Sequence, residues 1–533
     1  MSLHVAQGPF TTSLEILEQE GTMSAPEITI VHDSQISGDN KDVKQSQDVD
    51  VGDVESVVEK GDAPAFYSKV SVYLMMLFSG LALGSDGYNA AVMSNLNLLL
   101  TVIYPDTLSK DMKARLSNAF LIGMIVGMVG FGVVVDQLGR KTGAVLTTLI
   151  LVFGIVLSTG ASGTSPLGMF WMLVVARGIA GVGAGGEYPV AGAGALEASD
   201  EAGHFRKRRG FLFAMVADLS AGLGYCFGAL VPLLLLLCVN QRVDKYHIVW
   251  RTALALGAIP PLSIFYFRMR MKVSTAYRKS ALHKQRTPYV LIVKMYYRRL
   301  FGAAMGWFLY NWISIPFGIF GSTIVSRMNP ENSLIQNLGW GVVLNAFYLP
   351  GPFIGGYLSD RIGRRKTQCV GYTLQAILGF VLGGAGVQIQ TVFPLFIVLY
   401  GIFLTLGEVG PGSTVVITAT EPFPTSVRGH TMGFISAFSK AGAAIGTEVF
   451  SAIMASYSDP NKSNQVAFLV GSAFAVLGAL NAWFVLQDGS KVLDNEDEIW
   501  KEYLVKNGWD ASWGDQETED PKLTRNQELL PTS

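Results

Sequence analysis

Twelve apolar stretches constrain what this chain can fold into more than any other feature. Each contains about 20 residues, the length that a helix needs to cross the hydrocarbon core of a bilayer. Only 15% of the 533 residues are charged, whereas soluble proteins carry about 25%. The sequence therefore predicts an all-α membrane protein with twelve transmembrane helices, spanning residues 71–93, 115–136, 143–161, 167–194, 210–238, 250–269, 300–326, 337–358, 368–388, 392–418, 430–455 and 465–486.

Charged residues are concentrated outside these spans. Residues 1–69 hold 13 Asp/Glu and 4 Lys/Arg with few aromatic residues, a composition typical of a disordered acidic tail. Residues 487–533 form a second acidic tail. The segment between spans 6 and 7, Arg268–Arg299, carries ten Lys/Arg and no acid. Basic residues in short loops face the cytoplasm, so we expect both termini there.

An internal repeat divides the membrane region. GVVVDQLGRK follows the second span and GYLSDRIGRRK follows the eighth, which places Asp136 and Asp360 at equivalent positions. Two parallel six-helix halves predict a substrate site between them at the bilayer midplane, reached by alternating access. We assign the halves to residues 70–269 and 300–486, joined by a basic cytoplasmic linker at 270–299.

Asp86 and Lys440 are two of the ionisable residues that lie deep inside predicted spans. A charge at the bilayer centre costs about 2.5–3.5 kcal/mol even on the lower scale, so each needs a partner or a function. Asp86 in the first span suits a proton carrier, although a carboxyl bonded to a neighbouring helix is an alternative. Lys440 in the eleventh span suits an anionic ligand. The alternative is a structural pair with Glu408 or Glu448.

The fourth span contains the pattern GxGxxG at Gly181, Gly183 and Gly186. A dinucleotide site needs a soluble strand–turn–helix unit around this pattern, and here the glycines continue an intramembrane helix. We interpret them as small residues that allow close helix packing.

Several motifs together resemble a known family. The two GxxxDxxGR(K/R) loops resemble the signature of the major facilitator superfamily, with Gln137 replacing a basic residue in the first. Further segments resemble its phosphate:proton symporter branch, and especially fungal glycerophosphodiester permeases: SDGYNAAVM, RGIAGVGAGGEYPVAG, WFLYNW, EPFPTSVRG, SKAGAAIGT, LTLGEVGPG and PFGIFGSTIVS.

The resemblance implies roles for individual residues. It assigns proton coupling to Asp86, with Arg177 and Glu187 assisting. It implies that Tyr188 and Lys440 bind the phosphate group and that Trp307 contacts the substrate, although Trp307 is equally explained as a packing residue.

The chain departs from the phosphate carriers in the seventh span. They have an aspartate and a tyrosine where this chain has Asn311 and Ile315. A more neutral and roomier pocket suits a phosphodiester, whose organic part could meet Asn311, Tyr310 and Trp307. The same asparagine could instead reflect a relocated proton site.

Gating residues are expected in the two repeated loops, where carboxylates pair with arginines on neighbouring helix ends: Asp136, Arg140, Asp360 and Arg364. The segment EPFPTSVRG resembles the loop between spans 10 and 11 of sugar and phosphate porters, and this resemblance implies that Glu421 and Arg428 are gate partners of the 360–366 loop. The sequon NKS places a glycosylation candidate, Asn461, in the external loop between spans 11 and 12.

The leading functional hypothesis is a proton-coupled importer of glycerophosphodiesters, such as glycerophosphoinositol and glycerophosphocholine, at a fungal plasma membrane. The alternatives are an inorganic phosphate:proton symporter and a transporter-like nutrient sensor. The scattered histidines and cysteines favour neither an enzyme nor a metal site. We expect a monomer in the lipid bilayer with no cofactor beyond the proton and no nucleic-acid partner.

Overall fold

The computed structural model describes residues 69–138, 140–201, 208–270, 287–328, 331–489 and 495–509. Within these ranges every regular element is a helix, and there is no strand. Residues 1–68 of the N-terminal tail lie outside the described residues, so the predicted disorder of that tail stays a prediction. The C-terminal tail is described at 487–489 and 495–509.

The first six predicted spans correspond to helices α1–α7. The fifth is interrupted by a π-helical turn at Ala214–Leu219, and the sixth is broken into two helices. The bounds are α1 Lys69–Ile103, α2 Lys110–Leu138, α3 Arg140–Thr159, α4 Pro166–Glu201, α5 Arg209–Cys238, α6 Tyr246–Leu256 and α7 Ile259–Arg270.

The last six spans correspond to α8–α16, and a further helix lies in the C-terminal tail. The tenth span contains a second π-helical turn, Glu408–Gly412, between α13 and α14. The bounds are α8 Tyr289–Met328, α9 Leu334–Ala346, α10 Pro350–Ile362, α11 Arg364–Gly384, α12 Gly386–Gln390, α13 Phe393–Gly407, α14 Ser413–Thr420, α15 Arg428–Ser456, α16 Pro460–Phe484 and α17 Glu496–Lys506.

Eight helical stretches of the described chain are long and apolar enough to cross a membrane. The other four predicted spans, at 71–93, 337–358, 368–388 and 430–455, are helical as well. The span predicted at 337–358 is split, because α9 ends at Ala346 and α10 begins at Pro350. Helix α8 begins at Tyr289, so the last part of the predicted 270–299 linker is helical and continuous with span 7.

Close approach of helices explains the glycine-rich fourth span. A Cβ atom at Gly181 would collide with the Phe120 carbonyl of α2, and one at Gly183 would collide with the Leu151 backbone of α3. Helix α4 therefore packs so closely against α2 and α3 that its backbone contacts theirs. The structure confirms the packing interpretation of the GxGxxG pattern.

The two halves, α1–α7 and α8–α16, contact each other on both sides of the bundle centre. Helix α15 packs along α2, and α9 packs along α5. At the end where α5 begins, Gly210 and Phe211 approach α10; we refer to this as the gate end. At the opposite end Leu338 of α9 is buried in the apolar core of the first half. The sequence predicts that the gate end is cytoplasmic.

The C-terminal helix α17 packs on the gate end of the second half. Trp500 is fully buried, with its ring centroid 5.7 Å from that of Tyr296. Glu496 forms an ion pair with Arg299 at 2.8 Å. Asp497 accepts hydrogen bonds from the backbone and hydroxyl groups of Thr425, at 2.6 and 2.8 Å. Helix α17 thus ties the start of α8 to the loop that precedes α15.

Candidate functional site: a cavity between the two halves

A cavity lies between the two halves and is lined by residues of both. It contains six of the residues predicted from the sequence: Asp86, Tyr188, Trp307, Tyr310, Asn311 and Lys440. Spans 1, 4, 7 and 11 supply them, so the fold brings together positions that are up to 354 residues apart (440 − 86). Arg177 and Glu187 do not line the cavity among the described residues.

Lys440 is the only cationic side chain among the described residues that line the cavity. It is 4% exposed, and no carboxylate of the described chain lies within 4.0 Å of its ammonium nitrogen. Its nitrogen lies 5.4 Å from the ring centroid of Tyr188, a cation–π distance. The predicted alternative, an ion pair with Glu408 or Glu448, is therefore wrong for this conformation.

Tyr188 and Trp307 form an aromatic wall beside this ammonium group. Their ring centroids are 5.9 Å apart, with an interplanar angle of 52°. Tyr188 comes from α4 and Trp307 from α8, so the wall joins the two halves. Trp307 both packs in the core and lines the cavity.

Asp86 is a buried carboxyl without a hydrogen-bond partner. It is 1% exposed, and neither of its oxygens has a partner in the described chain. The charged groups within electrostatic range are Glu187, Arg268 and Lys440. Burying an isolated carboxylate is costly, so this position favours a carboxyl that binds a proton or meets a ligand. The predicted alternative of a carboxyl bonded to a neighbouring helix is wrong for this structure.

Arg177 is held by backbone carbonyl groups. Its guanidinium donates to the oxygens of Leu116 at 3.0 Å and of Asn89 at 3.3 Å, and it lies 5.2 Å from the Phe120 ring centroid. These contacts join α4 to α1 and α2 near Asp86. Arg177 therefore contributes a fixed positive charge behind the cavity wall.

Glu187 forms a buried bidentate pair with Arg268 of α7. The two nitrogens of Arg268 donate to the Glu187 oxygens at 2.6 and 2.5 Å, and Thr147 donates to the same carboxylate at 2.9 Å. Arg268 also donates to the Ala144 carbonyl at 3.1 Å. This network joins α4, α3 and α7, and it leaves Glu187 fully engaged. Sequence reasoning did not identify Arg268 as its partner.

Two predicted polar residues of α8 face different partners. The amide of Asn311 donates to the Ser439 hydroxyl at 3.1 Å. The hydroxyl of Tyr310 lies 2.6 and 2.7 Å from the two oxygens of Glu408. Asn311 therefore lines the cavity with its amide held by Ser439, whereas Tyr310 belongs to a carboxylate cluster.

That carboxylate cluster was missed as a site. The cavity is also lined by Asp218, Glu408, Tyr225 and Tyr348. Asp218 lies on the π-helical turn of α5 and Glu408 on the one that follows α13. The signal that could have identified them is the one that identified Asp86, an acid inside an apolar span.

Asp360, the aspartate of the second repeated loop, joins the two halves at the gate end. Its oxygens accept hydrogen bonds from the backbone N–H groups of Gly210 at 2.8 Å and Phe211 at 3.0 Å. These belong to the first half, whereas Asp360 belongs to the second. Arg364 donates to Asp360 at 3.2 Å. Gly363, with φ of 90°, makes the tight connection between α10 and α11 that brings Arg364 back.

Glu421 extends the same network. It pairs with Arg364 and with Arg209, each at 3.3 Å, and so joins the second half to the start of α5. Burial raises the pKa of the Glu421 carboxyl, against the opposing effect of Arg364 and Arg209. The predicted contact between Glu421 and the 360–366 loop is present. The predicted contact of Arg428 is not: within the described chain its guanidinium donates to the Phe423 carbonyl at 3.2 Å.

The remaining predicted residues are the gating candidates Asp136 and Arg140 and the glycosylation candidate Asn461. The side chains of Asp136 and Arg140 lie outside the described residues. Asn461 does not lie in a loop as predicted, because it is in the first turn of α16. The Asp459 carboxylate caps this turn by accepting a hydrogen bond from the backbone N–H of Asn461 at 2.9 Å. Ser463 of the sequon is fully buried. The folded chain therefore does not present the sequon as an extended segment.

Comparison with known sequences identifies the family. The sequence profile described as "Sugar (and other) transporter" matches residues 72–292 and 270–488. These ranges cover nearly all of the described helices. The chain therefore belongs to the sugar (and other) transporter family.

Individual relatives agree with this assignment. Glycerophosphoinositol permease 1 of Candida albicans is 37% identical over 85% of this chain and 86% of its own length. A glycerophosphocholine permease of the same organism is 34% identical over 81% of this chain and 82% of its own length. The proton:xylose symporter XylE of E. coli superposes with a TM-score of 0.64 at 17% identity, covering 81% of this chain and 100% of its own. The fold is thus that of the major facilitator superfamily, and the protein is a membrane transporter rather than an enzyme.

Proposed function

We propose that the protein imports glycerophosphodiesters across the plasma membrane together with protons, with both termini in the cytoplasm. The observation that carries this proposal is Lys440, a buried ammonium group that faces the cavity with no carboxylate of the described chain within 4.0 Å. Such a group requires an anionic ligand to offset its burial. The relatives named as glycerophosphodiester permeases make a phosphodiester the best candidate anion.

The residues around Lys440 suit a phosphodiester. The ammonium group supplies a point charge for the single negative charge of the phosphate. Tyr188 lies beside it as a further hydrogen-bond donor, and Trp307 provides an apolar face. Asn311, which is fixed by Ser439, offers its amide oxygen to a hydroxyl group of the glycerol or of the head group. We assign these residues to substrate binding.

In this proposal Asp86 carries a coupling proton. An unpartnered carboxyl in a low-dielectric cavity binds a proton readily and releases it when water or a cation approaches. Glu187, Arg268 and Lys440 lie within electrostatic range of this carboxyl, and Arg177, held against the Asn89 carbonyl three residues further along α1, is assigned an assisting role. Protonation of Asp86 removes a negative charge from the cavity before the anionic substrate enters.

The gate-end contacts provide the second conformation that transport requires. Asp360, Arg364, Arg209 and Glu421 hold the halves together at the end that we assign to the cytoplasm. Rocking of the halves would break these contacts and open the cavity there. Substrate and proton drive the cycle only if they bind the two states with different free energies. Asp136 and Arg140 stay predicted members of this gate.

The test is uptake by yeast cells that lack their own permeases. We expect labelled glycerophosphoinositol and glycerophosphocholine to accumulate, and more strongly at acid external pH. Asp86→Asn should abolish this accumulation, and Lys440→Gln should strongly reduce it at substrate concentrations near the wild-type KM. Asp244→Asn, in an exposed pair that does not line the cavity, should retain it. Uptake of inorganic phosphate alone would make the protein a phosphate symporter. Absence of uptake with the protein at the cell surface would refute the proposal and favour a sensor.

A further inference from the structure

The two π-helical turns of the structure each carry an acid, and the two acids meet. Asp218 lies on the turn Ala214–Leu219 in the first half, and Glu408 lies on the turn Glu408–Gly412 in the second half. The two turns pack against each other across the interface between the halves, and both acids line the cavity. Their carboxyl groups are within hydrogen-bonding reach of each other. Single π-helical turns inside α-helices occur frequently at functional sites. This pair joins the halves directly beside the substrate cavity.

No described cation compensates this pair. No Lys, Arg or His nitrogen of the described chain lies within 4.0 Å of either carboxyl group. Tyr310 from α8 donates to Glu408, while Oδ2 of Asp218 has no hydrogen-bond partner. Two ionised carboxylates within hydrogen-bonding reach of each other in a low-dielectric environment repel each other strongly. A hydrogen bond between two carboxyl groups also requires that one of them carry a proton.

The other groups that face the pair do not supply positive charge. Tyr225 of α5, Tyr310 of α8 and Tyr348 between α9 and α10 are phenols, and Asp86 of α1 is a further acid. Lys440 is the one cation among the described lining residues. With all three acids ionised the lining would carry a charge of −2 (+1 from Lys440 and −3 from the acids), which would repel an anionic substrate.

The unpartnered atoms of the cavity point to the same conclusion. Both oxygens of Asp86 and the hydroxyl of Ser314 are buried, line the cavity and have no hydrogen-bond partner in the described chain. Buried polar atoms without partners mark places where a proton, a water molecule or a ligand is expected. The cavity therefore offers unpartnered polar atoms besides the Asp218–Glu408 pair.

We propose that Asp218 and Glu408 form a second proton-binding site, a carboxyl pair in which one shared proton allows the two halves to meet around the cavity. Binding one proton changes the charge of the pair from −2 to −1 and creates the hydrogen bond between the halves. Release of that proton restores two carboxylates, which repel each other and favour separation of the halves. The identity of the substrate rests on the proposed function, but the shared proton does not.

The first test needs no substrate. In purified full-length protein in lipid nanodiscs, infrared spectroscopy detects the carbonyl stretch of protonated carboxyl groups as a function of pH. We expect the wild-type protonated-carboxyl band to contain a component that is absent in both Asp218→Asn and Glu408→Gln but kept in Asp86→Asn, which removes only the contribution of Asp86. Glu448→Gln is the matched control, because it removes a carboxyl that contacts Asn118 outside the cavity, and it should keep the band. A protonated-carboxyl band in Asp218→Asn and Glu408→Gln that equals the wild-type band would overturn the proposal.

The second test measures proton coupling in proteoliposomes. If uptake requires two bound protons, the rate of glycerophosphoinositol uptake by the wild type should fall about 100-fold for each unit by which the pH rises, at pH values above both sites' pKa. In either pair variant only one proton is required, so the rate should fall about 10-fold per pH unit. An equal slope in wild type and variants would overturn the proposal.

Two further outcomes separate the alternatives. Selective loss of glycerophosphocholine uptake in both variants, with an unchanged pH slope, would make the pair a subsite for the choline cation and would refute a proton site. If the wild type transports no diester, the proposed function fails, and the infrared measurement still decides whether the pair holds a proton.

Discussion

Removal of the Asp360 carboxylate should release the start of α5 from the second half. The first N–H groups of a helix have no intrahelical partner, and those of Gly210 and Phe211 are satisfied by Asp360 at 2.8 and 3.0 Å. A hydrogen bond to a charged group contributes about 1.5–3 kcal/mol. In Asp360→Ala, the free energy that opposes local opening at each amide should fall by that amount.

The corresponding assay is hydrogen–deuterium exchange, which reports local opening. Since about 1.4 kcal/mol corresponds to a tenfold change, exchange at Gly210 and Phe211 should accelerate about 10- to 150-fold. Asp360→Asn should have a smaller effect, because its amide oxygen still accepts one hydrogen bond. Asp459→Ala is the matched control: it removes an aspartate that caps one amide of α16, and only exchange near Asn461 should change. Unchanged exchange at Gly210 and Phe211 in Asp360→Ala would refute the gate described above.

Three other predictions concern the cavity and the helix packing. Lys440→Gln should raise the KM for a glycerophosphodiester about 10- to 100-fold, the equivalent of one lost charge-assisted hydrogen bond; an unchanged KM in an uptake assay would argue against a phosphate contact. Glu187→Gln should destabilise the protein by about 3–5 kcal/mol by leaving the buried Arg268 uncompensated, and thermal unfolding should show partial recovery in the Glu187→Gln/Arg268→Gln double variant. Gly183→Ala should lower the free energy of unfolding by about 1–3 kcal/mol, because its methyl group would collide with Leu151. Gly384→Ala, whose methyl group would lie in open space, should leave the free energy of unfolding unchanged.

The sequence was sufficient to predict the helical architecture. Apolar length and the spacing of basic loops located the spans, and the repeated loops indicated two halves. The depth of Asp86 and Lys440 within their spans was enough to place both in one cavity. These signals are local, because each depends only on the residues of one span or one loop.

Features that depend on tertiary contacts could not be predicted in this way. The pairing of Glu187 with Arg268 joins residues 81 positions apart, and no local pattern indicates that α4 and α7 meet there. The breaks after Ala346 and Leu256, and both π-helical turns, interrupt segments that read as continuous apolar helices. The Asp218–Glu408 contact depends on the approach of two such turns from opposite halves.

The most direct test of the central claim is transport by the purified protein. Proteoliposomes with an acid exterior should accumulate labelled glycerophosphoinositol or glycerophosphocholine above the external concentration. A protonophore, or the Asp86→Asn substitution, should abolish this accumulation. Accumulation that is indifferent to the pH gradient, or accumulation of inorganic phosphate with neither diester, would contradict the account.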